Sequence, residues 1–129
     1  MSSTLYSWDV NSVSIWSRKA IQAVIADDII TLQYLLNEED FKRLVAGKEW
    51  FTNYGMCPLH TAVFLGRDEM LRMMVEAGIS INSYSVDVDG FTIWTPLHCA
   101  IFHGKTSTSN LLLELGADEN LLTKNLSFI

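Results

Sequence analysis

Two histidines and a cysteine fall within the ten residues TPLHCAIFHG (95–104), at His98, Cys99 and His103. Imidazole nitrogens and a thiolate are the ligand set of a zinc or copper site, and a cysteine paired with a histidine is also a nucleophile and its base. Either chemistry needs the three side chains to converge. His98 and His103 are five residues apart, which on a helix puts them on different sides of it. A second test is recurrence. Residues 57–66 read CPLHTAVFLG, an offset of 38 from residues 95–104. His98 recurs as His60, but Cys99 stands opposite Thr61 and His103 opposite Leu65. A histidine that recurs with its surroundings is expected to serve the scaffold, so no metal site is expected.

Other chemistry is fainter. DVDG (87–90) opens like a calcium loop, but the rest of that loop is missing. There is no glycine-rich phosphate loop, no paired-cysteine motif and no Ser/His/Asp set, so neither an enzyme nor a cofactor is implied. A formal charge of −6 and a pI near 4.8 argue against nucleic acid, which needs clustered Lys and Arg. They suit a basic partner, and equally ordinary solubility. The first residues, MSSTLYSWDV, lack the basic and apolar regions of a secretory signal, and no run of 18 apolar residues exists. Cys57 and Cys99 are too few for a disulfide framework, so reduced thiols in a cytoplasm are the simplest expectation.

The offset of 38 continues beyond the first match. MLRMMVEAGISIN (70–82) lies over TSNLLLELGADEN (108–120). Pro58, Leu59, His60, Ala62, Phe64, Gly66, Gly78 and Asn82 return as Pro96, Leu97, His98, Ala100, Phe102, Gly104, Gly116 and Asn120. Pro96 suits the first turn of a helix, Thr95 can cap it, and Gly104 allows a tight turn after it. Gly78 and Gly116 fit the end of a second helix. An upstream copy, KAIQAVIADDIITLQYLL (19–36), keeps Ala23 but has Ile21 in place of the histidine and Asp27 in place of the turn glycine.

TPLHCA followed by LLLELGADEN resembles the ankyrin repeat, over roughly residues 18–122. The resemblance implies an all-α repeat solenoid, of stacked helix-turn-helix pairs joined by long β-hairpin-like loops. It implies a single domain over residues 1–129. Residues 1–17 are an N-terminal extension covering the end of the first repeat, and 18–56 a degenerate capping repeat with a long loop. The middle repeat is 57–94, and 95–129 is the C-terminal repeat and tail. It also makes His60 and His98 hydrogen-bonding struts. Cys57 departs from the usual threonine and should cap poorly. Thr108 and Ser109 should give the last repeat a polar outer face, with the tail LLTKNLSFI folded back over it and Leu113 left as an apolar patch.

The repeat is longer than the usual period of about 33 residues. The surplus lies in the connections 37–56 and 83–94. The first is expected to hold a helical turn at 40–46, the second a hairpin turning at Asp89-Gly90. Both are rich in aromatics: Trp50, Phe51 and Tyr54, then Tyr84, Phe91 and Trp94. By the resemblance, Phe64, Leu65, Phe102 and His103 line a concave groove, flanked by Met56 and Trp94. Trp50, Tyr54, Tyr84, Trp94 and His103 are expected to be exposed, and Asp87 and Asp89 to meet a basic partner. Exposed apolar patches and aromatic anchors mark interaction sites. The competing expectation is that the hairpins fold down and bury Phe64 and Phe102.

The resemblance therefore implies a protein–protein interaction module, a monomer or weak homodimer without nucleic-acid or membrane partners. A small acidic chain of this kind is expected to be a stand-alone inhibitor or antidote of immunity type. The alternatives are a pathogen or viral effector mimicking a host ankyrin inhibitor, and a structural protein that self-associates.

Overall fold

Three backbone turns, at Asp27, Gly66 and Gly104, set the architecture. Their φ angles are 57°, 71° and 70°, in the left-handed region. They are 39 and 38 residues apart, the spacing of the sequence repeat. Each is closed by the same pair of bonds. The amides of Asp27, Gly66 and Gly104 donate to the carbonyls of Val24, Val63 and Ile101, each at 3.1 Å. The next amides, of Asp28, Arg67 and Lys105, donate to Ala23, Ala62 and Ala100 at 2.8 Å. This pattern satisfies carbonyls that a helix end would leave orphaned. Aspartate is among the few side chains that tolerate this conformation, which is why the first repeat manages without a glycine.

The computed structural model describes residues 15–47, 58–86, 92–121 and 124–125. The helices are α1 (15–25), α2 (Ile29–Leu36), α3 (Glu39–Gly47), α4 (Pro58–Leu65), α5 (Asp68–Glu76), α6 (Pro96–Phe102) and α7 (Thr106–Glu114). Helices α1–α2, α4–α5 and α6–α7 form three successive pairs. α4 packs along α6, and α2 along α5. In α6, Pro96 takes the first position and the Thr95 hydroxyl accepts from the His98 amide at 3.4 Å. In α2, Asp28 accepts from the Thr31 amide at 3.1 Å and from its hydroxyl at 2.6 Å. The buried residues of α5, Met70, Leu71 and Met74, lie on one helical stripe. One continuous core runs through the stack, with Val24, Leu32, Leu59, Val63, Leu71, Met74 and Leu112 wholly buried.

The helical turn expected at 40–46 is α3, whose Phe41 is buried and stacks on Trp16 at 4.7 Å. The Trp16 indole N–H donates to the Leu35 carbonyl at 3.0 Å. Trp16 lies within α1, so the first repeat begins by residue 15 rather than at 18. The remainder of the expected N-terminal extension, residues 1–14, lies outside the described residues.

The second long connection carries the hairpin. β1 (Ser85–Val86) pairs antiparallel with β2 (Thr92–Trp94), Ser85 opposite Trp94 and Val86 opposite Ile93. β3 (Lys124–Asn125) pairs antiparallel on the other edge of β2, Thr92 opposite Asn125 and Ile93 opposite Lys124. The described part of the tail therefore extends the hairpin sheet instead of folding back over α6 and α7. Thr108 is also corrected. It is buried, and its hydroxyl donates to Asp68 Oδ1 at 2.6 Å, so it faces the middle repeat rather than solvent. Leu113 is 43% exposed, as expected.

Candidate functional site

The histidines that open the repeat helices are engaged with the chain around them. His60 is buried, and its Nε2 lies 3.0 Å from the Trp94 carbonyl. A carbonyl only accepts, so the proton sits on Nε2 and the imidazole ties the middle repeat to the start of the last. In the last repeat the Thr95 hydroxyl and His98 Nδ1 share a hydrogen bond at 2.8 Å. His98, Cys99 and His103 do not converge: His98 turns toward Thr95, while His103 lies among aromatic rings. Among the described residues, no three potential metal ligands are gathered together. Pro58, His60 and Pro96 are buried.

The other residues collect at the C-terminal ends of the first helices. Phe64 and Leu65 end α4, with 41% and 38% of their surface exposed, and Phe102 ends α6 with 71% exposed. The described parts of the connections leave these two phenylalanines exposed. His103 follows, half-buried, between Phe64 (ring centroids 5.0 Å apart) and Phe102 (5.2 Å), edge-on to both. Aromatic edges and faces of opposite quadrupole sign favour this packing, which holds the rings as one rigid unit.

Trp94 does not belong to the exposed set. It is 5% exposed. As the last residue of β2 it is pinned by strand pairing opposite Ser85, and Phe102 and His103 cover its indole at 5.2 and 5.7 Å. It is the floor of the aromatic cluster, and Phe102 is its roof. Tyr84 is half-buried rather than exposed. Trp50, Tyr54, Met56, Asp87 and Asp89 lie outside the described residues.

One ridge residue escaped the sequence reading. Phe64 and Phe102 each stand two positions before the turn residue. The same station in the first repeat is Ile25, 56% exposed. The offset of 39 that relates Asp27 to Gly66 would have found it. Ile25, Phe64 and Phe102 thus form a row of exposed apolar side chains across three repeats. Arg67 fixes the first interval of that row. Its Nε and Nη2 donate to the carbonyls of Val24 and Ile25, both at 3.0 Å, and Nη1 lies 3.9 Å from Asp27 Oδ2. Among the described residues no helix is long and apolar enough to cross a membrane.

Residues 59–113 match the profile of a family described as ankyrin repeats (many copies). The matched segment runs from α4 into α7 and spans most of both copies of the motif. No curated protein matches the chain.

Proposed function

Because this chain is an ankyrin-repeat protein, we propose that it docks another protein on the ridge of Ile25, Phe64, Leu65 and Phe102, and inhibits it by covering its surface. Ankyrin repeats indicate a protein–protein interaction module. The observation that carries the finer reading is the exposure of two phenylalanines on a rigid helical frame, 41% at Phe64 and 71% at Phe102. Apolar aromatics held in place in this way lose little freedom on binding and are frequent anchors of interfaces. The acidic balance of −6 suits a basic partner. The role is that of an antidote of immunity type, without catalysis. An effector that imitates a host inhibitor would use the same surface.

Capture from a lysate of the native host tests this, with wild type beside Phe64→Ser and Phe102→Ser variants whose fold is checked by circular dichroism. A partner held by wild type, lost by the variants, and silenced by stoichiometric wild type supports inhibition. A partner that is held but stays active reduces the role to docking. Equal retention by all three proteins moves the interface off the ridge.

Self-association is favoured by a different observation. Ile101 occupies the station of Val24 and Val63, which the next repeat buries completely, yet it is 62% exposed, and Leu113 is 43% exposed. Sedimentation of wild type against Ile101→Ser separates this reading: a dimer lost in that variant and kept in Phe102→Ser would place self-association on the end of the stack.

A further inference from the structure

The ridge has a period as well as a chemistry. Neighbouring packed helices lie about 8–10 Å apart. His103 stands between Phe64 and Phe102, 5.0 and 5.2 Å from them, so those two rings are at most about 10 Å apart, comparable with that step. Two kinds of chain present side chains at about this interval. An extended strand does so at every third residue, rising about 3.3 Å each, and a helix at every seventh, rising about 1.5 Å each.

The backbone distinguishes them. An extended segment brings N–H and C=O groups that need partners, normally a free strand edge. Six carbonyls beside the ridge are already engaged. Val24 O and Ile25 O accept from Arg67, Ala62 O and Val63 O from the amides of Arg67 and Gly66, and Ala100 O and Ile101 O from those of Lys105 and Gly104. A helix arrives with its own backbone satisfied and needs only an apolar surface. Charge indicates what borders its seam. At the Ile25 end, Asp27 and Asp28 are exposed carboxylates, faced by Arg67, which already donates to two carbonyls. At the other end Lys105 follows Gly104. The ridge is therefore more acidic at its first repeat than at its last.

We propose that the ridge receives an amphipathic helix of the partner, with apolar residues at i, i+7 and i+14 seated on Ile25, Phe64 and Phe102 and a basic residue over Asp27 and Asp28. This rests on the docking reading above and names the partner element.

Side-chain-bridged helical peptides of about 18 residues, long enough for three heptad positions, test it by fluorescence anisotropy. The probe carries leucine at i, i+7 and i+14 with lysine in its first turn. Its isomer carries the same leucines at i, i+5 and i+10. The probe is expected to bind wild type about tenfold or more tightly than the isomer. Phe64→Ser and Phe102→Ser should each abolish that preference, and exchanging the first-turn lysine for glutamate should weaken binding, less so at high salt. Equal or absent binding of the two isomers overturns the helix inference. So does tighter binding of an extended peptide with leucine at every third residue. If that extended peptide is lost in Phe102→Ser, the docking reading survives without the helix. If lysate capture is also indifferent to Phe64 and Phe102, both fall.

Discussion

At the boundary of the second and third repeats, a buried histidine reaches forward, His60 Nε2 to the carbonyl of Trp94, the residue that leads into α6. Between the first and second, the histidine station is Ile21, and the tie runs the other way: Arg67 of the later repeat reaches back to the carbonyls of Val24 and Ile25. The second junction adds the Thr108–Asp68 bond and an Asp118 amide donating to Asn82 Oδ1 at 2.9 Å. The two junctions teach that stacking repeats calls for a side-chain donor on a neighbour's backbone carbonyl, and that either neighbour can supply it. They differ in setting. His60 is buried, whereas the Arg67 side chain keeps 31% of its surface exposed, where water competes.

The largest expected effect lies at the second junction. Trp94→Ser removes a buried indole from between β2 and α6 and should cost about 3–5 kcal/mol in urea unfolding. Phe102→Ser, on the exposed side of the same cluster, should stay within about 1 kcal/mol. Similar losses for both would erase the distinction between floor and roof. Next, His60→Ala removes the buried bond to the Trp94 carbonyl and should cost about 2 kcal/mol. His98→Ala, at a half-buried station whose described bonds stay within its own repeat, should cost less. An equal loss would show that the histidine acts within its turn and not across the junction. Arg67→Ala should cost about 1 kcal/mol, since charged hydrogen bonds are partly screened at this exposure. Arg67→Lys should recover little, because a single ammonium cannot reproduce two directed bonds.

The smallest effect is a pH dependence in the first repeat. Thr31's hydroxyl, and then its amide, donate to the Asp28 carboxylate and hold its pKa below the ordinary 3.8. The folded value is the lower one, so this stabilisation is complete above the ordinary carboxylate range and fades as pH falls through the folded value. Asp28→Asn keeps an acceptor and removes the titration. Acid unfolding of the variant should therefore be less steep below about pH 4 than that of wild type. Curves that superimpose would remove Asp28 from the account.

Much of the fold was legible before the structure. The offset of 38 in TPLHCA and CPLHTA located α4 and α6, and Asp27 was aligned with the turn glycines although it is no glycine. The site was legible in part. The sequence places Phe64, Leu65 and Phe102 on a groove without deciding whether the hairpins cover the phenylalanines; in the structure all three side chains are exposed. Ile25 is an aliphatic residue in the copy that lacks the histidine and the turn glycine, so only the repeat register marks its station. Trp94 was misplaced because connections are usually solvated, and this one pairs as β1 and β2 against α6. Thr108 was read as an outward polar residue because its type says nothing of Asp68, forty positions away.

The sequence by itself determined the repeat register, the helix starts and the three reversals. Each depends on a few adjacent residues: a Thr-Pro opening, an apolar stripe, a position that admits a left-handed turn. Only the tertiary structure decided which apolar side chains face water. Trp94 and Phe102 are eight residues apart and touch, yet one is sealed and the other open. Burial belongs to the neighbours that stacking and strand pairing bring, and no local pattern contains them.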